Sequence, residues 1–125
     1  MAGLPVIDTP ISSDHLNCQI TDISSGTATT SSAYIRVPFR SRIIEVAVTI
    51  FGAITSANAV ITAALNGTSI GTLTITQSGS AAGNVFTLTP TTLTYANYGD
   101  YVSFISDHGS STACPANCEV ALVVA

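Results

Sequence analysis

The sequence predicts an all-β chain, a single β-sandwich or jelly roll of about eight short antiparallel strands with an extended N-terminal arm. Three observations lead there. Residues 46–99 contain no Asp, Glu, Lys, Arg or His, yet Thr, Ser, Asn and Gly interrupt them throughout. A membrane-spanning helix needs roughly 20 predominantly apolar residues in a row, and Thr49, Thr55, Asn58, Thr62 and Asn66 break every such window. Helices of soluble domains carry Glu and Lys on their wet side, whereas this chain has no Lys and only Glu45 and Glu119.

The elements follow in chain order. Residues 1–17 hold Pro5, Pro10, Asp8 and Asp14 without a sustained period, the signature of an extended arm. The sandwich domain then spans residues 18–125, opening with a short alternating segment over 18–23 and a Ser/Thr/Gly loop over 24–32. Residues 34–37 alternate before Pro38, which cannot donate to a ladder and so marks a strand end or edge. In residues 43–51 the period of two places Ile44, Val46, Val48 and Ile50 on a core face and Glu45, Ala47 and Thr49 on the other. Strands over 59–65 and 68–76 flank Asn66-Gly67, whose tolerance of positive φ predicts a hairpin with a type I′ turn. In the second of these, Leu73 and Ile75 face inward and Thr72, Thr74 and Thr76 outward, toward solvent or a neighbouring subunit. A Ser/Ala/Gly loop covers 77–84; strands follow over 85–89, 92–95, 101–106 and 118–124.

Composition excludes several function classes. The 125 residues amount to one domain and can bury roughly two thirds of their extended surface. Only 8% are charged, against roughly 25% in an average domain, and the net charge is −4, so surface polarity comes from hydroxyls. Weak repulsion between copies and exposed strand edges predict self-assembly. The three arginines, Arg36, Arg40 and Arg42, make no basic field, so neither nucleic acid nor membrane is an expected partner. No signal peptide is visible after Met1, which predicts cytoplasmic synthesis.

No catalytic, cofactor or metal site is assigned. Asp107-His108-Gly109-Ser110-Ser111 offers acid, base and hydroxyls, but neighbours on one loop rarely reach triad geometry, and turn chemistry explains Asp107 and Gly109. The three cysteines leave three readings open: a Cys114–Cys118 or Cys18-containing bridge, a zinc set completed by His15 or His108, or small buried thiols. Arg36, Arg40 and Arg42 read either as a solvated strand end or as an anchor for an acidic protein surface. Tyr95, Tyr98 and Tyr101 read as a sheet edge or subunit contact, with a sugar platform as the alternative.

The string Val37-Pro38-Phe39, residues 43–54, Leu65-Asn66-Gly67, residues 78–83, Gly99-Asp100 and Ser106-Asp107 resembles the small jelly-roll head decoration, or cement, proteins of tailed bacteriophages, over roughly residues 33–125. The resemblance implies a non-enzymatic virion protein on the outer surface of a capsid, bridging and stabilising subunits of a major capsid protein of HK97-like fold, as a homo-oligomer, dimer or trimer. It implies capsid contact through Leu4, Pro5, Val6, Ile7, Pro10, Ile11, Leu16, Arg36, Arg40 and Arg42, and subunit contact through Tyr95, Tyr98 and Tyr101. The rival expectation is a carbohydrate- or receptor-binding β-sandwich module of a fibre or adhesin.

Overall fold

A computed structural model describes residues 13–20, 31–55, 57–107 and 114–125. These residues form nine strands: β1 (Ser13–Ile20), β2 (Ser31–Arg36), β3 (Ser41–Ile50), β4 (Ala59–Leu65), β5 (Thr68–Ile75), β6 (Val85–Leu88), β7 (Tyr95–Ala96), β8 (Tyr101–Ser106) and β9 (Ala116–Val124). One sheet runs β1-β9-β3-β6, with the two-residue β7 also on β3, and the other runs β2-β8-β4-β5. Every pairing is antiparallel. Setting β7 aside, the pairs nest: β4 with β5, β3 with β6, β2 with β8, β1 with β9. Successive pairs fall on alternate sheets, which is the winding of an eight-stranded jelly roll. Among the described residues no helix is long and apolar enough to cross a membrane.

The alternation read from the sequence sets the two faces. Val46, Val48, Ile50, Ile61, Leu73, Ile75, Val102, Phe104, Val120 and Leu122 are buried between the sheets. A side chain such as Phe104, fully buried, contributes about 1.5–3 kcal/mol by leaving water. Ser41 Oγ is buried with no hydrogen-bond partner among the described residues, where an unmet hydroxyl costs desolvation.

Three local details depart from the simple period. In β3 a register shift lies between Ile43 and Glu45. Ile43 therefore takes the core position and Ile44 is only half-buried, so Ile44 does not join the core face with Val46 as the strict alternation predicts. The extra residue of a bulge flips everything before it. A second shift, between Ala63 and Ala64 opposite β5, sits beside Gly71 at φ 147°. There a Cβ would lie 2.5 Å from Leu88 Cδ2, so the absent side chain lets β6 close over β5. The third detail is at the ends of strands: β1 begins at Ser13, upstream of the Cys18 start the alternation predicts, and β7 occupies residues 95–96 rather than 92–95.

The β4–β5 hairpin follows its turn residues. Asn66 has φ 50° and Gly67 φ 87°, the two positive values a type I′ turn demands. A second turn, Asn97-Tyr98-Gly99-Asp100, closes through Asp100 N donating to Asn97 O at 3.0 Å. Gly99, at φ 89°, supplies the positive φ of a type II turn at its third position.

Candidate interaction surfaces

The outer face of the β2-β8-β4-β5 sheet carries an aromatic ledge. On β2, Tyr34 and Arg36 are exposed with Ile35 buried between them. Register places Tyr34 opposite Ser103 and Arg36 opposite Tyr101, and Ala64 on β4 opposite Ser103. Ser103 and Ala64 are small and buried although they belong to the outward set of their strands. The Tyr34 and Tyr101 rings meet edge to face at 5.9 Å and 64°, the arrangement favoured by the aromatic quadrupole. Arg36 lays its guanidinium 4.9 Å from the centre of the Tyr98 ring, a cation–π contact. Tyr34 and Tyr98 remain 62% and 68% exposed, far more than rings meant only for the core.

A hydrogen-bonded network holds one end of this ledge. Asp100 accepts from Asn97 N at 2.8 Å and from the Asn66 side chain. These donors keep its carboxyl below the usual carboxylate range, since each favours the charged form. Asn66 Oδ1 in turn accepts from Tyr101 N at 3.0 Å, and Asn66 N donates to Tyr101 O at 2.9 Å. The hairpin tip, the Asn97–Asp100 turn and the start of β8 are thus one unit. Beside it lies a shallow cleft of about 570 Å³ whose walls include Asn66, Ser69, Thr92, Thr94, Tyr95 and Asp100. Hydroxyl, amide and carboxylate groups alternate there with Leu65 and Leu93.

The outer face of the other sheet is of mixed sign. Arg42 stands opposite Val123 on one side and Tyr95 on the other, and Glu45 opposite Ala121. His15 Nδ1 lies 3.4 Å from Glu119 Oε2. Ala47 and Ala121 fill the middle of this face and are nearly covered.

The groups of residues singled out in the sequence are redistributed. Arg36 belongs to the ledge, Arg40 is exposed in the bend between β2 and β3, and Arg42 lies on the opposite sheet. Tyr98 and Tyr101 stay together, whereas Tyr95 goes to β7 and the other sheet. The ledge instead recruits Tyr34, distant in sequence; its signal was the exposed alternation Tyr34-Ile35-Arg36 on a strand ending at Pro38. Leu16 is half-buried and packs against the core. Leu4, Pro5, Val6, Ile7, Pro10 and Ile11 lie outside the described residues, as do residues 108–113 with His108, Gly109, Ser110 and Ser111.

Asp107 closes a strand end: its Oδ1 accepts from Val60 N at 2.9 Å, and its own N donates to Val60 O at 3.0 Å. Among the described residues no three His, Cys, Asp or Glu side chains gather as metal ligands. His15 points to the outer face with Glu119, Cys18 and Cys118 face the core, and the Cys114 thiol donates to Gly52 O at 3.3 Å.

No family model matches the chain, and no curated protein matches its sequence. Solved structures match its fold. A chain of the cyanophage Pam1 capsid asymmetric unit aligns with a TM-score of 0.56 at 13% identity, over 99% of this chain and 94% of that one. CsCBM6-3 from Clostridium stercorarium, solved in complex with cellobiose, aligns at 0.52 and 12% identity over 90% and 94%. A chain of the Helicobacter pylori bacteriophage KHP30 capsid aligns at 0.50 and 9% identity over 87% and 94%. At such identities the likeness establishes the shared β-sandwich.

Proposed function

We propose that this protein is a non-enzymatic structural component of a phage virion, which binds the outside of the capsid and bridges subunits of the major capsid protein. The observation that carries the reading is the whole-length match of this jelly roll to a chain of the Pam1 capsid, on a chain only 8% of whose residues are charged. Away from its few charged side chains, a hydroxyl surface packs against another protein with little charge to desolvate, a step that costs several kcal/mol per ion. Repeated attachment across a lattice then multiplies modest single contacts, and binding the assembled shell better than loose subunits stabilises it by mass action.

In this reading the arm is the chain ahead of β1, shorter than the residues 1–17 expected from sequence because residues 13–17 pair with β9. Leu4, Pro5, Val6, Ile7, Pro10 and Ile11 lie along the capsid, and Leu16 fixes the base of the arm to the core. Arg36, Arg40 and Arg42 meet acidic groups of the shell. Tyr95, Tyr98 and Tyr101 contribute to contacts between copies, with Tyr34 added by the ledge. The oligomer is a dimer or trimer.

The second reading, a carbohydrate-binding module, is favoured by one observation: the exposed Tyr34, Tyr98 and Tyr101 ledge beside a hydroxyl-lined cleft. Flat rings with polar rims suit sugar rings as well as protein surfaces. One experiment separates the two. Purified protein is sedimented with undecorated capsids of the source phage and, in parallel, applied to a glycan array. Co-sedimentation at about one copy per shell subunit, lost when residues 1–12 are deleted or when Arg40→Ala and Arg42→Ala are combined, supports the capsid reading. A blank pellet with array binding abolished by Tyr98→Ala replaces it with the second.

A further inference from the structure

The two strands that close the jelly roll carry a pair of thiols in bonding register. Cys18 on β1 stands directly opposite Cys118 on β9. Both point to the inner face: Cys118 is fully buried, and Cys18 packs half-buried against the same core. Directly opposed residues of an antiparallel pair have Cα atoms about 4.5–5.5 Å apart, inside the 4.4–6.8 Å range of a disulfide. The third cysteine is held elsewhere, its thiol donating to Gly52 O. All three are thiols in this structure.

We propose that Cys18 and Cys118 form an oxidation site, closing a cross-strand disulfide that staples β1 to β9 when the protein meets a low-molecular-weight disulfide outside the reducing cytoplasm. Each thiol has a distinct part. The Cys118 side chain is hydrogen-bonded to that of Cys18, which lowers the Cys18 thiol below its ordinary range and raises that of Cys118. Cys18 is also the more accessible of the two. Its thiolate therefore attacks one sulfur of the incoming disulfide RSSR, forming Cys18–S–S–R and releasing RS⁻, which takes up a proton. Cys118 then loses its proton and attacks Cys18 Sγ, expelling the second RS⁻, which is protonated in turn. Two protein thiols give up two electrons and two protons, and RSSR becomes two RSH.

Position gives this bond a mechanical role. Among the described strands β1 pairs only with β9, so the bond joins this strand, and whatever precedes it in the chain, to the sheet interior. Chemically the site stands apart from the capsid reading and is tested apart from it.

The test uses the full chain incubated with excess oxidised glutathione, followed by thiol titration in denaturant and peptide mapping without reductant. The expected result is a fall from the three thiols of the sequence to one, with Cys18 linked to Cys118. Thermal unfolding should rise by on the order of 10 °C relative to the reduced protein. Cys114→Ser should leave the bridge intact, and Cys18→Ser should leave two thiols that do not link. Three thiols surviving oxidation, a stable glutathione adduct on Cys18, or a linkage through Cys114 would each overturn the proposal.

Discussion

Asp100 shows how one exposed side chain organises the chain around it. Its carboxylate accepts from Asn97 N and the Asn66 side chain, tying the turn before β8 to the tip of the β4–β5 hairpin. Both bonds favour the ionised form, so the folded-state pKa lies below the ordinary value of 3.8. A depressed carboxyl pKa stabilises the fold above the unfolded value, and that contribution disappears as pH falls through the folded one. Asp100→Asn is expected to lower the thermal midpoint at neutral pH, with the gap from wild type narrowing on acidification below about pH 4. Thermal scans from neutral to acid pH measure this, and a gap that stays constant would refute it. The bond from Asp100 to Asn66 has no local signature, because hydrogen-bond partners 34 residues apart leave no pattern in the sequence.

At the scale of elements, what could be read in advance divides by range. Asn66-Gly67 encodes its hairpin in two residues, since positive φ at both positions is a property of those residues themselves. The β3 face was readable from Val46 to Ile50 but not at Ile44, where the bulge against β9 shifts the period. Nothing local announces a bulge whose cause is a partner strand distant in sequence. The same holds for β5. Its Gly71 is the place where Leu88 of β6 comes to rest, a contact that no local pattern of β5 announces. Gly71→Ala combines a left-handed φ with a Cβ set against Leu88 Cδ2 and is expected to destabilise by about 1–3 kcal/mol. Urea unfolding of Gly71→Ala, Leu88→Ala and the double variant tests it. Partial recovery in the double variant identifies the steric share; an unchanged midpoint in Gly71→Ala alone would contradict the packing described.

On the scale of the whole molecule, the nested pairing makes nearly every strand contact long-range. Among the described strands that pair with each other, only β4 and β5 are joined by a tight turn, while β1 closes on β9. Loop-closure entropy must be met before these contacts form, so refolding is expected on the order of milliseconds to seconds rather than microseconds. Stopped-flow dilution from urea checks this, and a microsecond relaxation would be incompatible with it. The same winding explains the candidate surfaces. Arg36 and Arg42 are close in sequence but stand on opposite sheets because the chain crosses between sheets from β2 to β3. Tyr95 and Tyr101 part for the same reason between β7 and β8, while Tyr34 and Tyr101 meet because β2 and β8 pair.

By itself the sequence determined the all-β class, the inward and outward faces of most strands, the hairpin at Asn66-Gly67 and the neutral hydroxyl surface. Each of these follows from side-chain period, backbone preference or composition, all local quantities. Only the tertiary structure decided which strands pair, where the bulges fall, that Tyr34 joins Tyr98, Tyr101 and Arg36, and that Cys18 faces Cys118. Those depend on register between segments as far apart as the two ends of the chain, and register is selected by burying every inward face at once rather than by any residue alone.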